Sequence, residues 1–164
     1  MSVLRIATRS SAQARTQATA IAQLLEATHD GLTVELVFVD TTGDQKQDVP
    51  LHTIGGQGVF VKEVQAAVLA GRADIAVHSA KDLPSTPADG LCIGAFGQRR
   101  DPRYVLVGRS LADLAQGATI ATGSVRRRAQ LSALRPDLKF VELRGNIPTR
   151  LEKIPTDGSI VMAA

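Results

Sequence analysis

Four short stretches of this chain gather the side chains that could do chemistry: TRSS at 8–11, HSAKDLP at 78–84, TGSVRRR at 122–128 and RGNIPTR at 144–150. Arginine recurs in three of them, and its planar fork suits carboxylate or phosphate. The HSAKDLP stretch differs. Lys81 and Asp82 stand side by side behind the apolar Ile75, Ala76 and Val77, and Pro84 keeps the chain from continuing as a strand. A solvated loop would account for that polarity, and a helix cap accounts for TRSS and for Ser124. A cap does not account for the three arginines that follow Ser124. On a helix they cannot share one face, which directs Arg126 and Arg127 to a ligand and Arg128 to solvent. First-turn N–H groups would add to the attraction for an anion. In RGNIPTR, Gly145 permits a close approach between Arg144 and Arg150, and Pro148 suits a helix start; an ordinary strand-to-helix turn is equally compatible.

The elements that must position these residues alternate. The pattern predicts strands at 3–7 and 32–39 around a serine-capped helix at 10–28, then a polar loop at 40–50 and a glycine turn at 55–58. A helix is expected over 59–71, with its apolar spacing at Val61, Val64, Val68 and Leu69, followed by strands at 73–78 and 91–96. Past 97–103 the pattern restarts. Strand 104–108, a short helix at 111–115, strand 118–122, helix 124–134, strand 139–143, a short helix through Arg150 and strand 159–164 follow in turn. Such alternation predicts open α/β sheets, in which ligands bind beyond the carboxyl ends of the strands. All four polar stretches fall at such ends. Charge reverses at the same restart: residues 1–97 carry seven Lys/Arg against ten Asp/Glu, and residues 98–153 carry twelve against five. Two α/β units, 1–97 and 98–164, are therefore expected, the second built to meet an anion.

Composition narrows the choices. Aromatics make up 3% of the chain and Trp is absent, so the basic half has no stacking platform for nucleic acid. No apolar run approaches the roughly 20 residues that a membrane helix needs. The single cysteine, Cys92, excludes an internal disulfide and any multi-cysteine metal site, and points to a reducing cytoplasm. His/Glu metal spacing, a Walker loop, G-x-S-x-G and G-x-G-x-x-G are all missing, so no metal is expected. His29 reads as surface, His52 as loop and His78 as a satisfied core residue. The chain stops at IVMAA, inside an expected strand, which suggests a fragment.

Six motifs in order, RIATRSS (5–11), GGQGVFVKE (55–63), RADIAVHSAKDLP (72–84), DPR (101–103), TGSVRRRAQL (122–131) and LRGNIPTRL (143–151), make the chain resemble the porphobilinogen deaminase (hydroxymethylbilane synthase) family from end to end. The resemblance implies three α/β domains, the first two like the lobes of periplasmic binding proteins. Residues 1–97 would be the first lobe and 98–164 part of the second: two open, doubly wound mixed-sheet lobes, both incomplete. It implies a cytoplasmic transferase of tetrapyrrole (haem) biosynthesis, monomeric at full length, without nucleic-acid or membrane partners. That enzyme joins four porphobilinogen units head to tail, with release of ammonia, on a dipyrromethane cofactor. The cofactor's attachment cysteine would lie in the third domain, outside this chain, and Cys92 matches nothing catalytic.

Asp82 matches the family's catalytic aspartate. Arg9, Ser11, Lys81, Thr122, Ser124, Arg126, Arg127, Arg144, Gly145 and Arg150 match its cofactor and substrate contacts. The chemistry agrees: each pyrrole carries an acetate and a propionate for arginines to neutralise, and loss of ammonia leaves an azafulvenium cation that a fixed carboxylate stabilises. Two departures stand out, Gln57 where many members have lysine and Tyr104 after DPR where aspartate is usual. Without the primer-bearing domain this chain is expected to be inactive alone, and the competing expectation is a non-catalytic two-lobed binding module for polycarboxylate ligands.

Overall fold

A computed structural model describes residues 1–41 and 61–163; the loop and glycine turn expected at 40–58, with His52 and Gln57, lie almost wholly outside the described residues. The chain divides into two compact units, Met1–Gly97 and Gln98–Ala164.

In the first unit, β1 (Ser2–Arg9) is central, with β2 (Leu32–Val39) on one side and β3 (Ile75–Ala76) on the other, all parallel. Helices α1 (Ala12–Thr28) and α2 (Lys62–Leu69) cover opposite faces. The two-residue period of a strand explains how one strand serves both. Ile6 packs with Ala18 and Ala22 of α1, while its neighbour Ala7 packs with Val64 and Ala67 of α2. Small alanines on both helices let them approach the sheet closely. The core face of α2 is Val61, Val64, Ala67 and Val68, whereas Leu69, expected inside, points to solvent. An Arg5–Asp74 ion pair, 2.7 Å, ties β1 to the turn before β3.

The second unit has a mixed four-stranded sheet in the order β4-β7-β5-β6: β4 (Tyr104–Gly108), β5 (Thr119–Ala121), β6 (Lys139–Val141) and β7 (Ser159–Ala163). Strands β5, β6 and β7 run parallel and β4 runs antiparallel to β7. Ile120 and Val161 face one core, with Leu114, Leu138 and Leu131 of α3 (Val125–Leu134); Ala121 and Ile160 face the other, with Leu143. The short helix α4 (Ile147–Leu151) follows β6.

Two expected elements do not form. Residues 91–96 make no strand, and Ile93 and Phe96 are exposed. A strand exists through its partner, and this apolar run pairs with no strand among the described residues. Residues 111–115 form a turn closed by Asp113 N–H to the Ser110 carbonyl, 3.1 Å, because five residues ahead of Gly117 are too few to sustain a nucleated helix. Among the described residues no helix is long and apolar enough to cross a membrane.

Candidate functional site

Both groups of candidate residues follow the carboxyl ends of strands. In the first unit, Arg9 ends β1 and Ser11 caps α1, its hydroxyl accepting from the Ala14 N–H at 3.4 Å. Past β3 the chain turns through a single 3₁₀ turn, Ala80–Asp82, closed by the Asp82 N–H to the Ser79 carbonyl at 2.9 Å. That turn brings Asp82 to a shallow concavity lined also by Arg9, Ser11, Gln17, His78 and Ser79. The Ser79 hydroxyl donates to Gln17 Oε1 at 3.0 Å and so fixes the turn against α1. Lys81 is exposed on the same turn and is not among the lining residues.

His78 departs from expectation. It is half-buried, but its Nε2 is fully buried with no hydrogen-bond partner, so it is not a satisfied core residue. Burial pushes its imidazole below the ordinary value, Asp82 pulling it up and Arg9 pushing it further down. The ring is therefore neutral at pH 7. His29 is on the surface, as expected.

In the second unit, Thr122 is buried and its hydroxyl accepts from the Ser124 N–H at 3.2 Å; Ser124 in turn caps α3 by accepting from the Arg127 N–H at 3.4 Å. Each hydroxyl proton remains available for donation. Gly123 is dictated by space, since a Cβ there would lie 2.8 Å from the Leu143 carbonyl oxygen. Arg126 donates from Nε to the Tyr104 hydroxyl at 2.8 Å, and the Arg127 guanidinium lies over the Tyr104 ring, 4.7 Å from its centre. Arg127 also donates to the Val161 carbonyl at 3.2 Å, and its Nε is buried without a partner. Arg128 diverges, its guanidinium 5.5 Å from the centre of the Phe140 ring.

Gly145 adopts φ +113°, and α4 begins behind an Asn146 cap that accepts from the Thr149 N–H at 3.0 Å. Arg150 is half-buried and folds back to donate from Nε to the Gly145 carbonyl at 2.7 Å. Burial lowers the pKa of its guanidinium, and repulsion from Arg127 and Arg144 lowers it further. The bond to Gly145 folds Arg150 back onto the turn that carries Arg144. Three other arginines, Arg5, Arg103 and Arg135, each pair with an aspartate, at 2.7, 2.6 and 2.7 Å. Among the described residues none of Arg126, Arg127, Arg144 and Arg150 has an ion pair. Four cations left without carboxylates suit a ligand that brings its own.

Sequence reasoning missed the part of Tyr104 as a support for two arginines and of Gln17 as an anchor for the aspartate turn. Both act across elements, and no local pattern marks either. No group of three or more His, Cys, Asp or Glu among the described residues is placed to hold a metal ion.

Residues 4–164 match the family model described as porphobilinogen deaminase, dipyromethane cofactor binding domain. The porphobilinogen deaminase of Syntrophobacter fumaroxidans is 48% identical over 99% of this chain, and that of Syntrophotalea carbinolica 50% identical over 99%. The porphobilinogen deaminase of Acidothermus cellulolyticus is 48% identical over the whole chain. The chain covers 54%, 54% and 50% of these relatives, so it spans about half the length of the curated relatives it matches. The alternative of a non-catalytic binding module finds no support among them.

Proposed function

The chain belongs to the porphobilinogen deaminase family, and on that footing we propose that it carries the substrate-binding arginines and the catalytic aspartate of a hydroxymethylbilane-forming transferase of tetrapyrrole biosynthesis. The observation that carries this reading is that Arg126 and Arg127 are held on one tyrosine and Arg150 is folded onto the Arg144–Gly145 turn, none of them with a carboxylate partner among the described residues.

A dipyrromethane fits the chemistry of this donor set. Its carboxylates match Arg126, Arg127, Arg144 and Arg150, and the hydroxyls of Thr122 and Ser124 offer neutral donors beside them. The close packing at Gly145 keeps Arg144 and Arg150 on one turn. When bound, that group supplies the pyrrole carbon to which the first porphobilinogen is joined. In the first unit, Arg9, Ser11 and the exposed Lys81 are assigned to the carboxylates of porphobilinogen.

Asp82 is assigned the catalytic role. As ammonia leaves porphobilinogen, positive charge develops over the pyrrole ring and its nitrogen. A carboxylate already fixed by its turn stabilises that charge more in the transition state than in the ground state. The neutral state of His78 matters here, because an imidazolium beside Asp82 would oppose the developing cation. As part of the same reading, both units are lobes of the periplasmic-binding-protein type, and the full-length protein is a cytoplasmic monomer.

The test is calorimetric binding to the chain of a free dipyrromethane bearing acetate and propionate side chains. Arg144→Gln and Arg150→Gln should each weaken it by about tenfold or more, the worth of a charge-assisted hydrogen bond. Unchanged affinity in both variants would refute the assignment.

A further inference from the structure

Arg126 and Arg127 are consecutive residues at the start of α3, and neighbours so placed on a helix point in different directions and tend to part. Here they do not, and the reason is a residue of another element. Tyr104, the first residue of β4, presents its hydroxyl to Arg126 Nε at 2.8 Å and its ring face to the Arg127 guanidinium at 4.7 Å. The two contacts use different parts of one side chain: an oxygen lone pair for one arginine, the negative face of the π-system for the other. β4 is registered against β7, Tyr104 opposite Ala163, so the support stands on a sheet rather than a loop.

We propose that Tyr104 is a positioning residue that holds Arg126 and Arg127 side by side as a carboxylate clamp without neutralising either. The proposal rests on the reading of these two arginines as carboxylate-binding groups. An aspartate could also hold them, but it would consume the charge that a ligand carboxylate needs. A neutral phenol restrains both guanidinium groups and leaves their positive charge whole. The lowered pKa of the phenol, caused first by the hydrogen bond from Arg126 and then by the charges of both arginines, agrees with that geometry.

The chain is suited to the test, since Tyr104 is its only tyrosine and it has no tryptophan, so tyrosinate absorbance reports this one side chain. The ionisation midpoint of the phenol should lie below the ordinary tyrosine value and rise in Arg126→Gln. Binding of a free dipyrromethane bearing acetate and propionate side chains, measured by calorimetry, should weaken about two- to tenfold in Tyr104→Phe, which loses the hydrogen bond and keeps the ring. Tyr104→Leu should weaken it further by removing the stack. Thermal melts of each variant establish that it is folded. Wild-type affinity in Tyr104→Leu, with defective binding in the Arg126→Gln/Arg127→Gln double variant, would overturn the role of Tyr104 and leave the arginine assignment standing. Wild-type affinity in the double variant would overturn both. Should Tyr104→Leu fail to fold, an unshifted phenol midpoint in the unsubstituted chain is sufficient to overturn the proposal.

Discussion

Gly145→Ala tests whether the Arg144–Arg150 turn owes its geometry to a missing side chain. The residue sits at φ +113°, a region that L-residues rarely occupy, at a cost of about 1–3 kcal/mol. Space is lacking as well, because a Cβ there would stand 2.7 Å from Thr149 Cγ2 and 2.8 Å from Thr149 Cβ. Thr149 cannot simply rotate away, since its hydroxyl and its N–H both donate to Asn146 Oδ1, at 2.8 and 3.0 Å. Disturbing that cap adds about 1 kcal/mol. The expected loss is therefore about 2–4 kcal/mol, or a fall of roughly 10 °C or more in the melting temperature of a unit this size. Tyrosine fluorescence reports the second unit alone, because Tyr104 is the only tyrosine. Affinity for a free dipyrromethane should fall with it, as the Gly145 carbonyl that accepts from Arg150 moves. The double variant Gly145→Ala/Thr149→Gly separates the contributions: it should remove the crowding with Thr149 Cγ2 and Cβ and keep the part due to φ. A Gly145→Ala protein that melts and binds like the wild type would refute the reasoning.

Two further outcomes are expected. Burial depresses the folded-state pKa of His78, so the unfolded chain binds more protons at mildly acidic pH; the contribution to stability is present above about pH 6.5 and is lost as pH falls towards the depressed value. Urea melts across this range should show the slope, and His78→Gln should flatten it, whereas the depressed carboxyls of Asp74 and Asp101 act only below about pH 4; an unchanged slope in His78→Gln would contradict the assignment. In a chimaera joining this chain to the remaining half of the Syntrophobacter relative, Asp82→Asn should lower turnover by about a hundredfold or more while porphobilinogen affinity stays within about threefold, and near-normal single-turnover rates would remove Asp82 from its catalytic role.

What could be read in the amino-acid order was what neighbouring residues decide among themselves. The caps at Ser11 and Ser124 are local, and both were legible from a serine ahead of an apolar run. The central strands were legible because Ile6 and Ala7, or Ile120 and Ala121, are apolar on both faces. LCIGAF misled for the same reason, since apolar residues announce a strand without naming its partner. Side-chain destinations across elements carried no signal. Arg5 and Asp74 are 69 positions apart, and Tyr104 lies 22 from Arg126. The sequence marked a surplus of arginine in the second half, but which arginines already had an aspartate was decided by the fold.

That division of labour has an energetic consequence. Two of the paired arginines fasten distant segments together: Arg5 bonds Asp74, and Arg135 bonds Asp137 and also donates to the carbonyls of Leu111, Leu114 and Ala115. Arg150 works against the fold, because burial and repulsion from Arg127 and Arg144 both disfavour its charge. Packing and hydrogen bonds elsewhere in the second unit must offset that repulsion for the unit to stay folded empty. On the proposed reading a polycarboxylate would relieve it and couple binding to folding: a dipyrromethane at a hundred times its Kd should add about 2.7 kcal/mol to stability, and an unchanged melting temperature would contradict the coupling.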